Sequence, residues 1–133
     1  MKPLLSLLAL CISLASFSQD PSKLIAQGQE LFDQGKYAEA KKKFAKVVKD
    51  YPSASGYLFL GLCQYNLQEY PDAVENFDQV LETHAVGNIR MYALRHKAYA
   101  YFQMDSLTQA QTAFKDYEFE FQLNSRDFYY LSF

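Results

Sequence analysis

Two histidines, two cysteines and a pair of alternating glutamates are the residues of this 133-residue chain best equipped for chemistry. A metal centre or a nucleophilic site would use them as imidazole and thiolate ligands, as a general base, or as an acid-base pair of carboxylates. Their spacing assembles none of these. His84 and His96 stand 12 residues apart on separate expected helices, with no second cysteine once a leader carrying Cys11 is removed and no clustered acid pair at ligand spacing. Glu118 and Glu120 alternate with Phe119 and Phe121, the pattern of an amphipathic helix end or a short extended segment. A glycine-rich phosphate loop and a G-x-S-x-G elbow are both missing from the sequence. His84, near the end of the expected fourth helix, is accounted for by the helix dipole, whose C-terminal end favours a cation. The chain is therefore expected to be no enzyme and to carry no metal and no cofactor.

The cysteines lead back to the first residues. Lys2 precedes an almost wholly apolar run from Leu4 to Ile12, and Ser16, Phe17 and Ser18 then form a small-x-small end before Gln19. This is the layout of a secretory signal peptide spanning 1–18, cleaved near Ser18. The apolar and small stretch ends at Phe17, short of the roughly 20 residues that a bilayer-spanning helix needs, so no integral membrane span is expected. Leu10 before Cys11 breaks the small-residue requirement of a lipoprotein site. Removal of the leader leaves Cys63 as a lone thiol in an apolar helical stretch, expected to be an inert core residue. The expected location is exported, periplasmic or envelope-associated in a bacterium.

Half of the residues are hydrophobic, with 11 Tyr, 11 Phe and no Trp, enough apolar material for one small domain. The net charge of −2 provides no footprint for nucleic acid. The densest basic run, Lys41 to Lys43, sits among Glu39, Lys46, Lys49 and Asp50 and reads as a solvated helix face.

The elements that would position any site show themselves by repetition. Gly28, Ala40 and Phe44 recur 33 residues on as Gly61, Ala73 and Phe77, and Tyr37 recurs as Tyr70. A third copy, with Ala98, Ala110 and Phe114, follows after 37 residues, and the four extra residues are expected in a loop around Gly87 and Asn88. Each copy has two stretches of helical period broken at "DQGK", "LQEY" or "QMDS", which predicts antiparallel helix pairs joined by tight turns. Asp20 before Pro21 makes an N-cap and first helical residue. The small residues Gly28, Gly61 and Ala98, facing Ala40, Ala73 and Ala110, let paired helices approach, while the phenylalanines fill the space between successive pairs.

These residues resemble the tetratricopeptide-repeat family. The first copy, about 21–54, has Leu24, Gly28, Leu31, Gly35, Tyr37, Ala40, Phe44 and Pro52 at signature positions, with Gln27 at the usual leucine. The second, about 54–87, has Tyr57, Leu60, Gly61, Tyr70, Ala73 and Phe77, and the third, about 91–124, keeps Leu94, Ala98, Tyr101, Ala110 and Phe114. The fold implied is all-α: a short right-handed superhelical solenoid of three helix-turn-helix repeats over 19–124 with a C-terminal aromatic cap at 125–133.

The resemblance also implies a concave face built from the first helix of each pair. Its ligand-binding positions would fall on Ile25, Gln29 and Phe32, on Leu58, Leu62 and Tyr65, and on Tyr92, Arg95, Tyr99 and Phe102. Apolar residues at Ile25, Leu58 and Leu62 exclude the family's best-known carboxylate grip, and Arg95 with His96 is the one cationic corner. The expectation is a protein or peptide partner whose apolar segment is buried on that face, with no nucleic acid bound. The alternative is an assembly subunit that docks through its aromatic C-terminal edge, or self-associates there, with the tail in its own groove. In the binding-module reading the tail caps the third repeat instead, Ser125 with Asp127 starting a short capping helix that lays Phe128, Tyr129 and Leu131 against it.

Overall fold

The computed structural model describes residues 19–131; the leader expected at 1–18 lies outside the described residues. Six helices follow one another: α1 (Pro21–Asp33), α2 (Tyr37–Asp50), α3 (Ala54–Asn66), α4 (Tyr70–Glu82), α5 (Gly87–Gln103) and α6 (Leu107–Leu131). Each packs against its chain neighbour, and α1 also touches α3 as α3 touches α5. The first helices of the three pairs therefore adjoin along one side, while the second helices splay on the other, as in a short helical solenoid.

Local chemistry sets the ends of these helices. The Asp20 carboxylate accepts from the Ser22 amide at 3.0 Å, with Pro21 in the first turn, and the Ser53 hydroxyl accepts from the Gly56 amide at 3.1 Å. The turn within each pair is one motif used three times. The amide of Lys36 donates to the Leu31 carbonyl at 2.8 Å, that of Glu69 to Gln64 at 2.8 Å and that of Ser106 to Tyr101 at 2.9 Å. The residue before each of these amides is left-handed: Gly35 at φ 74°, Gln68 at 62° and Asp105 at 57°.

Close approach within a pair is built from a glycine and a ring. A β-carbon placed on Gly28 would lie 2.7 Å from the Phe44 ring, and one on Gly61 would lie 2.7 Å from that of Phe77. The space is thus filled by the phenylalanine of the second helix, while Ala40 and Ala73 are fully buried beside it. Phe44 also stacks on Phe59 of the following pair at 5.0 Å, so one ring closes both contacts.

Two expectations need correction. The four extra residues do not lengthen the loop around Gly87 and Asn88. They lengthen α5, which has 17 residues against 13 in α1 and α3. The added turn is held by its far end, where Arg90 pairs with Glu120 of α6 at 2.7 Å. The tail does not start a new helix at Ser125 or Asp127 either: α6 runs unbroken through them to Leu131, 25 residues in all. No turn separates the segment from α6, so its described backbone neither folds back as a cap nor enters the groove. Side-chain contacts of the cap expected at 125–133 lie outside the described residues.

Candidate protein-binding face

The face formed by α1, α3 and α5 is aromatic and converges on one histidine. His96 has ring contacts with Tyr65 at 5.7 Å, Tyr99 at 5.7 Å, Tyr92 at 6.1 Å and the buried Phe77 at 6.1 Å. From there the chain of rings continues to Tyr70 through Tyr65 and to Phe114 through Tyr99. Nδ1 of His96 lies 2.8 Å from the Tyr92 carbonyl, which can only accept, so Nδ1 carries the proton and Nε2 is bare in the neutral ring. Burial, followed by the charge of Arg95, pushes His96 below the usual histidine value, against the Tyr92 hydrogen bond that favours protonation. Burial likewise raises the Tyr65 phenol.

Of the aromatic residues expected on this face, Tyr92, Tyr99 and Phe102 are the open ones, 46%, 39% and 60% exposed on α5. Leu62 and Tyr65 are half-buried beside them, against the core cluster around Phe77. Ile25 and Phe32 are half-buried at the other end, where Phe32 meets Tyr37 and Phe59 edge-on at 5.2 and 5.8 Å, and Gln29 is exposed. Leu58 is removed from the set. It is 6% exposed and packs with Phe77, Val80 and Ala93, because α3 is enclosed by α2, α4 and α5 and has little surface left to offer.

Sequence reasoning missed two features. One is the central place of His96, whose only signal was its register: it occupies in the third unit the place that Phe59 holds in the second. The other is a cleft of about 250 Å³ between α5 and α6, lined by Asn88, Met91, Tyr92, Arg95, Tyr117 and Phe121. It exists because α5 has its extra turn and α6 runs alongside it. The Arg95 guanidinium lies 4.9 Å over the Tyr92 ring, and its Nε is buried with no hydrogen-bond partner among the described residues.

What this face offers a partner is apolar and aromatic contact. Among the described residues no three histidine, cysteine or acidic side chains gather as metal ligands, and no helix is long and apolar enough to cross a membrane. Cys63 is fully buried, and desolvation, only slightly opposed by Lys41, pushes its thiol up to about 12.

Repeated helix pairs with one shared aromatic face define a helical-repeat protein. A tetratricopeptide-repeat family model matches residues 25–88, so the first two helix pairs are tetratricopeptide repeats, and the third pair has the same layout. Its architecture is similar to a crystal structure of SycD, the type III secretion translocator chaperone of Yersinia enterocolitica, in an alternative dimer. The TM-score is 0.69 at 23% identity, over 88% of this chain and 87% of that one. No curated protein matches the sequence.

Proposed function

We propose that the chain is an exported protein-interaction module that buries an apolar segment of a partner protein against the α1–α3–α5 face. The observation that carries this reading is the row Tyr92, Tyr99 and Phe102, three large rings left open at helical spacing on one element. Aromatic side chains are the usual anchors of interfaces, because they bury much area for few rotatable bonds. Ile25, Leu62 and Tyr65 would extend the contact, and Arg95 would orient the partner. SycD is a translocator chaperone by description, and the present reading gives this chain the same kind of task, the holding of another polypeptide. Export rests on the leader pattern of residues 1–18 and would show as a mature protein whose mass begins at Gln19.

Binding is tested by capturing partners from envelope extract with residues 19–133, beside a Leu62→Glu, Tyr99→Glu variant of unchanged helicity. A partner held by the first and lost by the second places binding on this face. A partner held equally by both overturns the reading.

A further inference from the structure

Among the described residues, no helix lies over the last pair as α3 and α5 lie over the first two. Phe44 and Phe77 are fully buried because the next helix, α3 or α5, lies over them, whereas Phe114, their equivalent on α6, is only half-buried. Beside Phe114 runs an open groove of about 530 Å³. Its lining matches, 37 residues on, the surface of α4 that seats α5: Leu107 stands for Tyr70, Gln111 for Val74, Phe114 for Phe77, Lys115 for Asp78 and Glu118 for Leu81. The groove is therefore the seat of a seventh helix, and the molecule's own interior shows what kind of element fills such a seat. Leu107 is 58% exposed there, an apolar cost with no role in the monomer.

We propose that the occupant is α6 of a second copy, packed antiparallel about a two-fold axis. The charges select it. At the equivalent inner seat the cation is on the incoming helix, where Lys97 pairs with Asp78 of α4 at 2.6 Å. On α6 the sign is reversed, since Lys115 occupies the place of Asp78, so the incoming helix must bring an acid. A second copy's α1, which would continue the solenoid head to tail, presents Gln27 at the position of Lys97 and provides none. An antiparallel α6 brings Glu118 of each copy level with Lys115 of the other, two pairs by symmetry, and the assembly closes as a dimer. The length of α6 fits this role. It runs eight residues beyond Leu123, which lines a separate pocket with Val86 and Gly87 at the start of α5, and among the described residues it packs against α5 alone.

The experiment is sedimentation equilibrium of the purified chain from micromolar to hundreds of micromolar, for wild type, Lys115→Glu, Glu118→Lys and the double reversal. Lys115 and Glu118 are both exposed, so the variants keep the helicity of the wild type. The expected result is a reversible dimer that each single reversal weakens by about tenfold and the double reversal restores. Leu107→Glu should give a monomer. A chain that stays monomeric throughout, a dimer indifferent to the single reversals, or a double reversal that fails to restore it would each overturn the proposal.

Discussion

Replacing Gly61 by alanine tests how the helix pairs are held together. Alanine inside a helix is worth roughly 0.5–1 kcal/mol over glycine, so on propensity alone the change should stabilise. The structure gives the opposite sign. The new β-carbon would lie 2.7, 2.9 and 3.2 Å from Cε1, Cδ1 and Cζ of Phe77. That ring is fully buried in a cluster with Leu58, Ala73, Val80 and Ala93, so it has nowhere to retreat without moving α4 against α3. Overpacking of this kind costs about 1–3 kcal/mol, which outweighs the propensity gain and leaves a net loss of about 1 kcal/mol. In a domain of this size that is a fall in Tm of roughly 5 °C, readable by circular dichroism. The control is the same change in a Phe77→Leu background, where the smaller side chain frees the space and only the propensity gain remains. A double-mutant cycle should give a favourable coupling of about 1 kcal/mol or more. A rise in Tm on Gly61→Ala in the wild type, or an equal effect in both backgrounds, would refute the reasoning.

Four further outcomes follow from particular residues. Gln68 is left-handed at φ 62° where the first pair has Gly35, so Gln68→Gly should stabilise by about 0.5–1 kcal/mol in chemical denaturation. Gly35→Ala should destabilise by about 1 kcal/mol, through backbone conformation alone, since its β-carbon would meet nothing within 4 Å. His96 binds its proton more weakly folded than unfolded, so its contribution is present above about pH 6.5 and declines as pH falls from there through the lower folded value. His96→Phe, which copies Phe59 of the preceding pair, should flatten the stability profile between about pH 7.5 and 5.5. An unchanged slope would remove His96 as its source. Cys63, with its thiol raised to about 12 and its side chain fully buried, should react with a thiol reagent only as fast as the protein unfolds. Rapid labelling of the native chain would show that α3 opens locally.

What could be read from the residues alone was whatever the repeat states more than once. Gly28 with Phe44 and Gly61 with Phe77, or the turns at Gly35 and Gln68, recur because each pair solves the same packing problem, and periodicity exposes a problem solved repeatedly. The features it hid are those that occur once. Leu58 belonged to the face by register, but α3 is the middle first-helix of three and is enclosed, so equal register does not mean equal exposure. The four residues inserted before the third unit looked like loop chemistry because of Gly87 and Asn88, yet the Arg90–Glu120 pair makes helix the better use of them. The same comparison of like positions gives most at the end of the chain, where likeness fails. Phe77 and Phe114 are one residue by register, but one is fully buried under a helix and the other only half-buried, and Val74 and Leu81 have become Gln111 and Glu118. A surface meant only to end the solenoid would have shed Leu107 and Phe102 as well. Retaining the rings and the leucine, while replacing two inner aliphatics by groups that can be solvated, is what a reversible interface requires: apolar enough to associate, polar enough to stand apart.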